Sequence, residues 1–266
     1  MRPLAVATVA VPPSRRVTFI SGTGWLVTHR EQRSVTVLDP GLGDPAHVDV
    51  PVAAAPCEPN CHLDRHGVLW VYLPTGDELV AHDAVTGEVI ARERLASSVG
   101  AAGFWPHPDG KRLGLSVAMG QDTPLSHLAE LVDGRIVGRD LPGEFLNGFS
   151  SGGDRYLSLP HDIREIALRD VTTGAVTVAC HAGEELEAAL VSDDFVLVAH
   201  NHEGHHLLTT RSLSRQADVD YGTLRNSIAA TDGRGRWMTN GRDGVLRLWE
   251  LPERVVDEAE GQQALW

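Results

Sequence analysis

The sequence predicts an all-β domain made of six consecutive repeats, each holding four short strands. The main observation is a row of turn residues that each precede an apolar run, namely Gly24, Gly67, Gly110, Gly153, Asp194 and Gly235. Successive members are separated by 43, 43, 43, 41 and 41 residues. A period of about 40 to 45 residues with four strands per unit is typical of one β-propeller blade. We therefore predict a six-bladed β-propeller of four-stranded antiparallel blades.

A second motif recurs in the same register. The pattern Asp-x-x-Thr-Gly occurs at 83–87 and again at 170–174, which is about two repeats further along the chain. Each copy lies between two runs in which apolar and polar residues alternate, as in half-buried strands. The arrangement predicts a strand, a tight turn and a second strand at each position.

The composition agrees with many short strands joined by turns. Apolar residues make up 42% of the 266 residues, enough for a sizeable core, and the chain has 27 glycines and 15 prolines. We predict one propeller domain over residues 1–252 and an acidic C-terminal tail over 253–266. The predicted blades are approximately 17–52, 57–95, 99–141, 145–181, 185–221 and 224–252, the last one completed by residues 3–11.

The last repeat resembles a WD40 repeat. Residues 226–251 have a Ser/Thr-type residue at Thr239, a turn aspartate at Asp243 and a Trp-Glu pair at Trp249 and Glu250. The histidine that the family places before the first strand is missing, and the other five repeats lack the tryptophan. The resemblance implies that the N-terminal strand, residues 3–11, closes the ring by completing the last blade, which hides an open sheet edge.

The two faces of the predicted propeller differ in their loops. With strands labelled a to d from the axis outward, the d–a and b–c loops emerge on one face, called here the loop face. By analogy with the fold, ligands are expected there. The b–c loops are rich in charged residues and histidine, and the predicted binding residues are His29, Arg33, His161, Asp162, Arg164, His200, His202, Glu203, His205 and Arg242.

A dense histidine cluster lies at 200–206. If Glu203 and Gly204 form a two-residue turn, His202 and His205 face each other across the hairpin, and His200 lies on the same face. Converging imidazoles of this kind can hold a divalent transition metal. The spacing matches no familiar metal motif, however, so the default expectation is no cofactor.

Cys57, Cys61 and His62 form the other cluster of metal-ligand types. Cys61 and His62 fall in strand a of the second repeat, where buried residues are normal, so we interpret His62 as a core residue. The equivalent inner-strand positions of the other repeats are Phe19, Trp105, Gly148, Ala189 and Ala230.

Charge and motifs restrict the possible functions. The formal net charge is −13, which opposes binding of nucleic acid. Three cysteines make no disulfide framework, and no apolar stretch has the length of a membrane helix, so we expect a cytoplasmic monomer that does not bind membranes. The absence of a nucleophile elbow or phosphate loop leaves catalysis undecided, because propeller enzymes gather their residues from several blades.

Two functions of different class therefore remain open. The first is a non-catalytic scaffold that binds a protein or peptide on the loop face. The second is a propeller enzyme that acts as lyase, hydrolase or isomerase on a small molecule. Such an enzyme would use His and acidic residues at the mouth of the axial channel, with or without a metal.

Overall fold

The computed structural model describes residues 1–10, 15–20, 24–29, 34–49, 60–74, 76–95, 102–119, 122–142, 145–160, 165–181, 186–200, 204–222, 226–241 and 243–252. Within these residues the chain forms twenty-four strands and no helix. The strands make six antiparallel sheets of four strands each. This confirms the predicted six-bladed β-propeller.

The first strand, β1 (Leu4–Ala10), precedes the first blade. Blade 1 consists of β2 (Arg15–Ile20), β3 (Gly24–His29), β4 (Ser34–Leu38) and β5 (Ala46–Asp49). Blade 2 consists of β6 (Asn60–Leu63), β7 (Val68–Leu73), β8 (Glu78–Asp83) and β9 (Val89–Arg94). Blade 3 consists of β10 (Ala102–Pro106), β11 (Arg112–Met119), β12 (Asp122–Val132) and β13 (Arg135–Leu141). In each blade the strands are neighbours in chain order.

The second half of the ring repeats this plan. Blade 4 consists of β14 (Phe145–Phe149), β15 (Arg155–Leu159), β16 (Glu165–Asp170) and β17 (Val176–His181). Blade 5 consists of β18 (Leu186–Leu190), β19 (Phe195–His200), β20 (Gly204–Thr209) and β21 (Arg215–Val219). Blade 6 takes β22 (Asn226–Thr231), β23 (Arg236–Gly241) and β24 (Val245–Glu250) from the C-terminal end.

The N-terminal strand supplies the fourth strand of blade 6. β1 pairs antiparallel with β24, from Leu4 opposite Glu250 to Ala10 opposite Val245. The Asp220 backbone N–H also donates to the Met1 carbonyl over 2.7 Å, which ties the segment before β1 to the end of blade 5. The prediction that the first strand closes the ring is confirmed.

The turns follow from residues that tolerate tight backbone geometry. Gly67 and Gly110 have positive φ angles of 79° and 69° in the turns between strands a and b. In the first Asp-x-x-Thr-Gly turn, a carboxylate oxygen of Asp83 accepts the backbone N–H groups of Val85 and Thr86 at 2.9 and 2.7 Å. These side-chain bonds hold the β8–β9 turn and explain the motif.

The core lies between neighbouring blades. Trp70 and Tyr72 on β7 pack with Phe104 on β10 and Leu115 on β11, so that blades 2 and 3 share one apolar cluster. Burial stabilises by about 1.5–3 kcal/mol for each large apolar side chain. The inner strands of the six blades contact one another around the axis, and β10 packs against both β6 and β2.

Candidate functional site

An open cavity of about 470 Å³ lies at the centre of the ring. It is surrounded mainly by the inner strands of blades 1, 3, 4, 5 and 6. The lining residues are Val17, Thr18, Gly103, Phe104, Trp105, Pro106, Phe145, Asn147, Leu159, Glu187, Ala188, Ala189, Ser227, Ile228, Ala229, Ala230, Thr231 and Asn240. Pockets for small ligands occupy about 300–1,000 Å³, so this cavity is large enough to hold one.

The cavity exists because small residues occupy several inner-strand positions. Gly103 on β10, Ala188 and Ala189 on β18, and Ala229 and Ala230 on β22 all line it. A close-packed interior leaves few voids larger than a water molecule, so side chains of this size leave the space at the axis unfilled. The walls are mostly apolar and include aromatic rings, and a few amide and hydroxyl groups interrupt them.

The cavity extends to the loop face. Phe145 is the first residue of β14, and Leu159 is the last residue of β15. Ser227 lies near the start of β22, and Asn240 lies near the end of β23. All four positions adjoin d–a or b–c connections, which emerge on the loop face.

Toward the opposite face, three lining residues of the central cavity also line a second cavity. Trp105, Pro106 and Thr231 line both the central cavity and a much smaller one of about 50 Å³. The small cavity is bordered by residues of the a–b turns, among them Ser150 and Gly233. We call these three shared residues the floor of the central cavity.

Hydrogen bonds join neighbouring a–b turns on the face beyond that floor. His107 Nε2 donates to the Gly153 carbonyl over 2.9 Å and joins blades 3 and 4. The Ser151 backbone N–H donates to Asp193 over 2.7 Å and joins blades 4 and 5. The Gly235 backbone N–H donates to the Val191 carbonyl over 2.8 Å and joins blades 6 and 5.

Glu187, the second residue of β18, is the one ionisable side chain among the described lining residues. Its Oε2 accepts the backbone N–H of Ile228 on β22 over 3.0 Å. Water reaches the Glu187 side chain, but the surrounding strands remove enough hydration to raise the pKa of the carboxyl above its usual value. The hydrogen bond from Ile228 opposes that rise. The mouth of the cavity thus carries a carboxylate held in place by the neighbouring blade.

Most of the binding residues predicted from the sequence cannot be placed beside this cavity. For nine of them, the side chains are outside the part of the chain that the structure describes. These are His29, Arg33, His161, Asp162, Arg164, His200, His202, Glu203 and Arg242. The backbones of His29 and His200 form the last residues of β3 and β19. Their proposed roles at the loop face therefore stay predictions.

The predicted geometry of the histidine hairpin is wrong. His200 pairs with Gly204 and Ala199 pairs with His205, so residues 201–203 connect the strands, and Glu203-Gly204 is not a two-residue turn. His205 consequently lies inside β20, where it is buried. Its Nδ1 lies 2.7 Å from the Tyr221 hydroxyl, and the two rings meet edge to face. His205 is part of the packing between blades 5 and 6 and does not line the described cavity.

The second cluster of metal-ligand types is also part of the core. Cys61 and His62 are buried on β6, and His62 Nδ1 lies 3.4 Å from the Thr18 hydroxyl. Burial lowers the pKa of His62 to about 3 and raises the pKa of the Cys61 thiol to about 12. Cys57 lies outside the described residues. Within the described ranges, no three His, Cys, Asp or Glu side chains come close enough to hold a metal ion.

Sequence reasoning missed Glu187, Gly103 and Asn147 as lining residues. No linear motif marks them, because each comes from a different blade. A usable signal was the alignment of inner-strand positions, since three of its members, Trp105, Ala189 and Ala230, do line the cavity. Extending that alignment by two residues toward the N-terminus in each repeat reaches Gly103 and Glu187.

Nothing in the described part of the chain is a helix with the length and apolarity needed to cross a bilayer.

Comparisons with known proteins relate the chain to others through its fold. No family model matches the sequence, and no curated protein matches it. Solved structures do match, among them the β-propeller domain of Cps50 (Swd1) from Myceliophteria thermophila. The TM-score is 0.54 at 12% sequence identity, and the match covers 94% of this chain and 100% of that chain. At this identity the likeness shows a shared β-propeller fold.

Proposed function

We propose that this propeller is a non-catalytic binding module that docks a protein or peptide segment on its loop face, over the mouth of the axial cavity. The observation that carries the proposal is the asymmetry of the axis. Residues at the loop-face ends of β14, β15, β22 and β23 line the central cavity, whereas Trp105, Pro106 and Thr231 line both it and a cavity of only about 50 Å³ beside the a–b turns. A concave, mostly apolar surface with a few placed polar groups is the usual form of a binding site.

Binding is favoured over catalysis by the chemistry of the walls. The enzyme alternative needs histidine and acidic side chains together at the channel mouth, where they exchange protons. Among the described lining residues, Glu187 has a carboxylate and the remaining side chains do not titrate. The WD40-like final blade and the fold shared with the Cps50 (Swd1) domain are compatible with a scaffold that presents one face to a partner.

The proposal extends to the type of partner and to location. The net charge of −13 disfavours nucleic acid and favours a partner segment with basic or neutral character. We place the protein in the cytoplasm as a monomer. The monomer is favoured because each sheet takes all four of its strands from the one chain, with β1 as the fourth strand of blade 6.

Selection of peptides from a random display library against the wild-type protein tests this function. The diagnostic variant is Gly103→Val, which places two methyl groups in the cavity. A Cβ at Gly103 would meet its nearest neighbour, Trp105 Nε1, at 3.6 Å, so the backbone accommodates it. The matched control is Gly138→Val on the exposed outer strand β13, where a Cβ would also find its nearest neighbour at 3.6 Å.

We expect the selected peptides to bind Gly103→Val at least about tenfold more weakly, which corresponds to about 1.4 kcal/mol. Their affinity for Gly138→Val should stay within about twofold. Equal affinity for the wild-type protein and Gly103→Val, with both variants folded, would show that the peptides dock elsewhere.

A further inference from the structure

The central cavity has a chemistry more specific than that of a general docking surface. Its aromatic walls are provided by Phe104, Trp105 and Phe145, and its one described ionisable group is the carboxylate of Glu187. No lysine, arginine or histidine stands among the described lining residues to neutralise that carboxylate. The described lining is therefore electronegative at one point and mostly apolar elsewhere, with a few amide and hydroxyl groups.

We propose that this cavity binds a small organic cation, a protonated amine or guanidinium joined to an apolar body. The charged head lies against Glu187, and the apolar body fills the space between Trp105 and Phe145. This inference goes beyond peptide docking and does not require it.

Charge complementarity supports a cationic occupant. Among the described residues, the Ile228 N–H donates to Oε2 of Glu187, and the other carboxylate oxygen can accept a further hydrogen bond. An ammonium or guanidinium group can donate to it, and charge-assisted hydrogen bonds are about twice as strong as neutral ones.

The shape of the cavity sets the size of the occupant. Trp105, Pro106 and Thr231 form the floor, which a guest that enters from the loop face reaches before the smaller cavity of about 50 Å³. An apolar body in contact with the floor displaces water from apolar walls, which is favourable in proportion to the apolar area removed from water. A cavity of about 470 Å³ suits a compact molecule.

Calorimetric titration with three matched probes tests the proposal. The probes are phenethylammonium, the neutral 2-phenylethanol and the anionic 3-phenylpropionate. The diagnostic variant is Glu187→Gln, which removes the charge and keeps an oxygen that accepts from Ile228. The matched control is Glu165→Gln, because Glu165 is exposed at the start of β16 and does not line the cavity.

We expect saturable one-to-one binding of phenethylammonium, with an affinity at least about tenfold higher than that of 2-phenylethanol. The affinity of the anionic 3-phenylpropionate should be lower still. Glu187→Gln should abolish the preference for the cation and leave the affinity for 2-phenylethanol unchanged. Glu165→Gln should keep the preference, and Gly103→Val should weaken both probes. Absence of saturable binding, or the same preference in Glu187→Gln as in the wild type, would overturn the proposal.

The experiments can contradict the peptide-docking proposal and the cation-site proposal independently of each other. Amine binding without any peptide that depends on Gly103 would support the cation site and contradict peptide docking. Peptides that depend on Gly103, together with absence of saturable phenethylammonium binding, would support docking and overturn the cation site. If peptides displaced by phenethylammonium lose binding when their own lysine or arginine is replaced, the cation belongs to the peptide, and the assignment to a free small molecule is wrong.

Discussion

The indole Nε1 of Trp249 donates a hydrogen bond of 2.8 Å to the hydroxyl of Thr239, and both residues are buried. Trp249 lies on β24 and Thr239 on the adjacent strand β23. Both belong to the four residues of the last repeat that carry its resemblance to a WD40 repeat, with Asp243 and Glu250. The resemblance therefore corresponds to a real contact, which ties two strands of the blade that closes the ring.

Breaking this contact should destabilise the protein in a graded way. Thr239→Val keeps the volume but leaves the buried indole N–H without its acceptor, at a cost of about 1–3 kcal/mol. Trp249→Ala also removes the ring, at a cost of about 3–5 kcal/mol. Denaturant unfolding measures both losses, with Thr239→Ser as the control that keeps a hydroxyl. A loss below about 1 kcal/mol for Trp249→Ala would mean that the motif does not contribute to stability.

Deleting residues 1–10 should open the ring. The deletion removes β1, so the backbone groups of β24 that pair with it lose their partners. It also removes the Met1 contact with Asp220. We expect a large fall in melting temperature by circular dichroism. Truncation of the C-terminal tail, 253–266, serves as a length control. A deletion variant that melts within about 2 °C of the full chain would contradict ring closure by β1.

His62 should make stability depend on pH. Its pKa in the folded protein is about 3, whereas an unfolded histidine titrates near about 6.5. Between these values the unfolded chain binds the extra proton, so stability is present above about pH 6.5 and is lost as the pH falls toward 3. From pH 7.5 to 5 the contribution of this residue should decrease by about 2 kcal/mol.

The difference in unfolding free energy between the wild type and His62→Gln measures this effect. This difference should become smaller on acidification, because only the wild type has an ionisable side chain at position 62. Nuclear magnetic resonance of the His62 ring should show the neutral form at pH 5. A difference that is constant between pH 7.5 and 5 would contradict the buried neutral state.

Tyr221 should be structurally important because its hydroxyl bonds to two buried rings. It accepts Trp237 Nε1 over 2.9 Å and lies 2.7 Å from His205 Nδ1. Burial raises the pKa of the Tyr221 phenol, so the hydroxyl stays protonated. Tyr221→Phe should cost about 1–3 kcal/mol by denaturant unfolding. An unchanged stability would show that the hydroxyl contributes nothing to the packing of blades 5 and 6.

The fold could be predicted from the sequence because its signals are local. The glycines at 67 and 110 mark turns that need positive φ, and Asp83 and Asp170 begin turns held by their own carboxylates. The site could not be predicted in the same way. Glu187 and Gly103 belong to different blades, and only ring closure brings their strands to one cavity. The predicted geometry of the histidine hairpin was wrong because it depended on the assumed length of one turn.

The central claim is that ligands bind at the loop face, over the mouth of the axial cavity. A crystal structure of the protein with a selected peptide tests it most directly. We predict that the peptide lies across the ends of β14, β18 and β22 that adjoin the d–a loops, with its contacts extending toward Glu187. A peptide bound along an outer strand such as β13 or β17, or on the face of the a–b turns, would contradict the claim.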